Sequence, residues 1–345
     1  MAMKIDRRTL FGAALALGSS ALAGSAFAAA RTRPFAPAAG ARSRMVYVND
    51  LSGDLDGLFA TVHALLSNTS QVRAIVGAGT GRPGETAEAS AALGREIVHL
   101  MGLDGKVPVA LGAAAKLTDL AAPDRSPGVQ AIITEAMRSD TTPPLYVAVG
   151  GGLTEVASAI LIEPKVAERM TLVWIGGDAF PGGGTGETNF NIDPVAAMSL
   201  FNETRVPIWQ IPRSAYAATV VSATELQAHV APHGRIGQWL YDKVVTAPAR
   251  FRKRLNMGET WTLGDNPLVV PTSLADWVPN YSDGIIRFDR TGSSHFDEVI
   301  APHLNPDGTF SPRTDGRKIR IYKDIDTRLM FGDFFAKLAV NYPAR

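Results

Sequence analysis

Three carboxylates crowd the stretch Asn49-Asp50-Leu51-Ser52-Gly53-Asp54-Leu55-Asp56, directly after a short apolar run. Negative charges this close repel one another unless a cation or solvent absorbs the charge. A hard cation such as Ca²⁺ takes several oxygen ligands in flexible geometry, which such a loop offers. A carboxylate beside it can also orient a water and take its proton. The same residues equally describe a solvated acidic turn that caps the next helix, and the loop alone leaves both readings open.

Three further stretches carry usable side chains. Gly150-Gly151-Gly152-Leu153-Thr154-Glu155 follows an apolar run and opens a helix, with Thr154 placed to cap it. Glu187-Thr188-Asn189-Phe190-Asn191-Ile192-Asp193-Pro194 ends in a helix start, Asp193 at the cap and Pro194 in the first turn. Glu187 and Asn189 precede that cap, where an acid and an amide suit vicinal sugar hydroxyls or a local turn. In Gly264-Asp265-Asn266-Pro267-Leu268 an acid stands before an apolar run, as a cap or as a ligand.

The elements that must hold these residues alternate. Short apolar strands are expected at Met45–Val48, Val72–Val76, Val107–Leu111, Leu145–Val149, Leu172–Ile175 and Val206–Ile211. Helices are expected at Leu58–Leu66, Thr86–Met101, Val129–Met137, Thr154–Ile162 and Pro194–Phe201. This alternation predicts an α/β fold: a single domain with a largely parallel open sheet flanked by helices, over residues 45–345. In such sheets ligands sit beyond the carboxyl ends of the strands, so the loops named above converge.

Composition narrows the chemistry. The 345-residue chain has no cysteine, which excludes disulfides, thiolate catalysis and cysteine-held metal centres. Its net charge of +1 gives no reason to expect nucleic acid or an anionic membrane as partner. Arg7-Arg8-Thr9-Leu10-Phe11, an apolar small-residue run and Ala26-Phe27-Ala28 read as a signal peptide of the twin-arginine type over 1–30. A flexible leader follows over 31–44. The expected location is the bacterial periplasm or the exterior, with no membrane contact in the mature form.

In this order, the motifs resemble the nucleoside hydrolase family. The acidic loop is similar to its D-x-D-P-G-x-D-D cluster, and Gly151-Gly152-Leu153-Thr154-Glu155 looks like its G-P-L-T-N. Trp174-Ile175-Gly176-Gly177 resembles a strand ending in M-G-G. Glu187-x-Asn189-x-x-x-Asp193-Pro194-Val195-Ala196-Ala197 keeps the spacing of E-F-N-x-x-x-D-P-E-A-A, and Gly264-Asp265-Asn266-Pro267 stands where the family has H-D-P. Val107–Gly112 and Ile319–Asp326 resemble further family strands.

The resemblance implies a hydrolase of N-glycosidic bonds in ribonucleosides or related ribosyl compounds. It implies a Ca²⁺ held by Asp50, Asp56, Thr154 through its carbonyl, and Asp265. Asp50 would be the base for the attacking water, and Asp54, Glu187 and Asn189 would hold the sugar. Family members assemble as dimers or tetramers, which implies a homo-oligomer.

The chain departs from the pattern in named places. With Asp50 at the second family Asp, Val48 replaces the first and Leu55 is inserted between Asp54 and Asp56. The ungapped register instead makes Ser52 the base and Gly57 a ligand. Gly264 replaces a His that would protonate the leaving group, leaving His229, His233 or His295 as candidate substitutes. Trp174, Trp209, Trp239, Trp261 and Trp277 offer stacking faces, and base recognition is expected within Thr219–Trp261, with His229, His233, Trp239 and Tyr241 as candidates. The alternatives are an exported nucleoside- or carbohydrate-binding protein with a degenerate catalytic site, or a nicotinamide-dependent oxidoreductase suggested by Gly77-x-Gly79. Arg82 at the last glycine of that fingerprint argues against the oxidoreductase.

Overall fold

Met45-Val46-Tyr47-Val48 has no polar face, which suits a strand covered on both sides. In the computed structural model it forms the middle of β1 (Ser43–Asn49), whose residues are all buried. The structure describes residues 40–247, 258–274, 278–280, 287–289 and 294–344. The proposed signal peptide, the leader up to residue 39 and Trp277 lie outside them.

The main sheet continues with β2 (Ser70–Gly77), β3 (Val109–Leu111), β4 (Leu145–Gly150), β5 (Thr171–Ile175), β6 (Ile208–Ile211), β7 (Phe296–Ile300) and β8 (Lys318–Tyr322). Its spatial order is β7-β8-β6-β5-β4-β1-β2-β3. Every neighbouring pair is parallel except β7 with β8, an antiparallel edge. The expected α/β class and largely parallel sheet are therefore present. The chain direction across the sheet reverses between β1 and β4, and that switch point is where such sheets leave a crevice.

Helices cover both faces. They are α1 (Asp56–Leu65), α2 (Ala87–Leu100), α3 (Pro127–Ala136), α4 (Thr154–Ile162), α5 (Thr188–Ile192), α6 (Pro194–Asn202), α7 (Arg213–Tyr216), α8 (Ala223–His229), α9 (Gly234–Val245) and α10 (Thr327–Asn341). Alternation along β1 sends Met45 and Tyr47 into one core with α1, α9 and α10, and Val46 and Val48 into another with α3, α4 and α6. Helix starts follow local chemistry: Asp193 accepts from Ala196 N at 2.9 Å with Pro194 in the first turn, as expected. No helix among the described residues is long and apolar enough to cross a membrane.

Three features differ from the sequence expectation. β1 starts at Ser43, so the last residues of the expected leader belong to the sheet. Arg44 explains this: its Nη1 meets Glu135 Oε1 at 2.7 Å and its Nε donates to Pro143 O at 2.9 Å, a distant partnership that hydropathy does not register. Helix α5 is too short for a helical period to show. β7 carries two exposed acids, Asp297 and Glu298, which break the apolar run of an edge strand.

Candidate active site

Asn49 closes β1 and is fully buried. Its Nδ2 donates to Asp265 Oδ2 at 2.7 Å, joining the switch point to the loop that precedes Asn266–Leu268. Its Oδ1 lies against α1 with no hydrogen-bond partner. The approach is close: a Cβ on Gly57 would fall 2.1 Å from Asn49 Oδ1, and one on Gly150 2.5 Å from Asp265 Oδ2.

Asp50 opens a tight turn closed by Gly53 N donating to Asp50 O at 2.6 Å. Leu55 drops into the apolar core, 8% exposed. Asp54 and Asp56 on either side of it therefore both line one cleft. That cleft, about 340 Å³, is also lined by Asp50, Asp265, Asn189, Thr80, Arg82, Arg213, Tyr216 and Gly264.

The carboxylates raise one another's pKa. Burial pushes Asp50 and Asp56 well above the usual carboxylate range, and the charges of Asp265 and Asp54 push them further. Burial lifts Asp265 to about 7 against the hydrogen bond from Asn49, with Asp54 and Glu187 adding to the rise. The charges acting most strongly on all three are anionic, so ionising them together is costly without compensating positive charge. Even so, among the described residues no three acidic, imidazole or thiol side chains converge tightly enough to cage a metal alone.

Glu187 and Asn189 sit at the start of α5. Glu187 caps that helix and is almost fully buried behind the cleft wall. It accepts from Asn189 N, Phe190 N, Gly177 N and Tyr216 Oη, at 2.7–3.0 Å. Burial still raises its pKa against these bonds. Asn189 lines the cleft itself, its Nδ2 donating to Ile175 O at 2.8 Å. Thr154 is the first residue of α4 rather than its cap, and its hydroxyl donates to Asp193 Oδ2 at 2.6 Å. Thr154 lines a neighbouring cavity that shares Thr80 and Arg82 with the cleft. The structure thus gathers Asp50, Asp54, Asp56, Asp265 and Asn189 around one space, with Glu187 behind it and Thr154 beside it.

Gly264 has a structural reason. A Cβ there would lie 3.0 Å from Asp56 Oδ2 and 3.1 Å from Tyr216 Cδ2, so the Tyr216 ring fills the room a larger residue would need. None of the histidine substitutes lines the cleft. His229 stacks on Phe335, His233 faces Tyr342 O at 3.0 Å, and His295 pairs with Asp324. Nor do the described tryptophans line it: Trp174 and Trp261 are core, Trp209 carries Arg320, and Trp239 donates to Glu96. Tyr241 likewise packs against the core. Sequence reasoning assigned Asn49 a place in the acidic motif but no role, and singled out neither Arg213 nor Tyr216. The last two follow β6, and the rule that ligands gather after strands would have found them.

The sequence model of a family described as inosine-uridine preferring nucleoside hydrolase matches residues 49–293. No curated protein matches the sequence. Among solved structures, a purine-preferring ribonucleoside hydrolase from Gardnerella vaginalis aligns with TM-score 0.66 at 16% identity, over 86% of this chain and 99% of that one. A plant nucleoside hydrolase aligns with TM-score 0.65 at 14% identity, over 86% and 99%. An inosine-uridine preferring nucleoside hydrolase from Bacillus anthracis aligns with TM-score 0.61 at 14% identity, over 87% and 99%.

Proposed function

Since the chain belongs to the inosine-uridine preferring nucleoside hydrolase family, we propose that it hydrolyses the N-glycosidic bond of ribonucleosides or related ribosyl compounds, with Asp50 taking the proton of the attacking water. Family and fold both support N-glycosidic hydrolysis. The observation that carries the finer reading is the set of buried, mutually repelling carboxylates Asp50, Asp56 and Asp265 at the switch point of the sheet.

That donor set fits a hard divalent cation such as Ca²⁺. Such a cation accepts main-chain and water oxygens beside a few carboxylates, so a closed cage of side chains is not required. Asp50, Asp56 and Asp265 would hold it. Any contribution from Thr154 rests on its main chain, because its hydroxyl is spent on Asp193. When bound, the cation would acidify a water and gather sugar hydroxyls.

The protein's own groups do the rest. Asp50 accepts the water's proton, and Asn189 and Asp54 hold the sugar. The anionic wall favours positive charge developing at C1′ as the bond to the base stretches. Glu187 orients Asn189 and Tyr216 through its hydrogen bonds and keeps α5 in place. We also propose that the mature domain works after export, delivered by the twin-arginine leader, and assembles as a homo-oligomer.

The test is ribose release from inosine, uridine and cytidine, with Ca²⁺ and after chelation, by the wild type and Asp50→Ala. Loss on the order of 10²–10⁴ in Asp50→Ala is expected for removal of a general base. Turnover unaffected by that substitution would sink the assignment. Tight ligand binding by the wild type with no ribose release would favour the exported binding protein instead.

A further inference from the structure

We propose that α7, through Arg213 and Tyr216, forms the leaving-group end of the cleft and favours ribosides whose aglycone departs as an anion. This deepens the nucleoside-hydrolase reading and rests on it.

Breaking a glycosidic C–N bond leaves an electron pair on the aglycone, which must meet either a proton or fixed positive charge. Among the described residues lining the cleft there is no His, Lys or Cys. The hydroxyl hydrogen of Tyr216 is already given to Glu187 Oε1 at 2.8 Å. The cation proposed above would keep Asp50, Asp56 and Asp265 ionised, and as anions they repel a departing anion. Among the described residues, what remains on this side is a guanidinium.

Arg213 and Tyr216 stand three positions apart on one helical turn, which puts them on the same face. Tyr216 is fixed at its hydroxyl by Glu187, and its ring lies beside Gly264, where an added Cβ would meet it at 3.1 Å. Arg213 is anchored by Nη2, which donates to Asp178 Oδ2 and to Thr185 O. Asp178 is itself held by Ala179 N and Gly184 N. The guanidinium is therefore positioned, while its Nε and Nη1 have no partner among the described residues. A flat ring beside a planar five-donor fork suits a planar heterocycle rich in acceptor atoms. Arg82, the other guanidinium lining the cleft, sits on the loop after β2 with Glu85 3.6 Å away and no aromatic beside it on its turn.

In the step this implies, the C1′–N bond breaks with both electrons remaining on the aglycone nitrogen. The water oxygen bonds to C1′ and its proton passes to Asp50. The aglycone leaves as an anion beside Arg213 and takes its proton from solvent, so the products are the free sugar and the neutral base.

The experiment compares kcat/KM for 4-nitrophenyl riboside, uridine, inosine and adenosine in the full mature protein and its Arg213→Gln and Arg213→Lys variants. Wild-type rates should rise steeply with the acidity of the leaving group, a readout that needs no variant to fold. Arg213→Gln should lose on the order of 10²-fold with inosine, as for removal of one charge-stabilising donor. Its loss with 4-nitrophenyl riboside should be under about tenfold, because a nitrophenolate needs little help, and Arg213→Lys should recover part of the inosine rate. An equal loss on every substrate, or wild-type rates indifferent to leaving-group acidity, would overturn the inference while leaving nucleoside hydrolysis intact. A wild type that cleaves none of the four would instead remove the reading on which it rests.

Discussion

Asp265 carries much of the electrostatic load of the cleft. Its carboxyl is lifted to about 7, against about 3.9 in an unfolded chain. Between those values the native state holds a proton that the unfolded chain has released. Stability is therefore lost as pH climbs from about 4 toward 7, the direction set by a native state that binds more protons. The cation proposed for the cleft would compete with those protons and remove the penalty. Thermal melts of chelated protein should thus fall between pH 5 and pH 8, and added Ca²⁺ should raise the melting temperature more at pH 8. Asp265→Asn should flatten both dependences. Equal melting at the two pH values with and without Ca²⁺ would count against a charge-strained cation site.

At the scale of elements, the site depends on how closely α1 and β4 approach the end of β1. Asn49 is wedged between Gly57 on α1 and Gly150 on β4, and it holds Asp265 from across the sheet. Gly57→Ala places a methyl group where the Asn49 amide now sits. Alanine favours the helix by about 1 kcal/mol, yet overpacking a tight contact costs about 1–3 kcal/mol, so the clash should win. The expected result is a lower denaturation midpoint together with weaker Ca²⁺ binding, because the Asn49–Asp265 bond is displaced. A more stable variant that binds Ca²⁺ normally would show that the contact relaxes without cost.

Across the whole molecule, α10 is tied to the catalytic face through His63. This buried ring on α1 pairs with Asp333 Oδ2 at 2.8 Å and lies 3.4 Å from Asn266 Nδ2, next to Asp265. Burial lowers its pKa despite the nearby Asp333. Its folded value is below the unfolded one, so the unfolded chain takes up a proton first as pH falls. Stability from this group is full above about pH 6.5 and declines below it. His63→Gln should reduce acid sensitivity below about pH 6.5 in denaturant melts, and an unchanged pH profile would refute the assignment. Together with Asp265, His63 leaves the chelated protein penalised at both ends of the range.

Much was legible in the chain itself. Unbroken apolar runs located the strands at Met45–Val48, Leu145–Val149 and Leu172–Ile175, because a strand buried on both faces leaves no polar position. Asp193-Pro194 marked a helix start through local hydrogen bonding and a fixed φ. The crowding of Asp50, Asp54 and Asp56 announced a charge problem, and the ordered motifs pointed to the family. Each of these signals is local, since neighbours in sequence set its energy. The bond from Asn49 to Asp265 spans 216 positions, and Arg44 finds Glu135 across 91. Leu55 turns into the core and so leaves Asp54 and Asp56 on one cleft, while Tyr216 fills the place beside Gly264. Only tertiary structure decided these, because packing of the sheet and its two helical layers sets which distant side chains share a space.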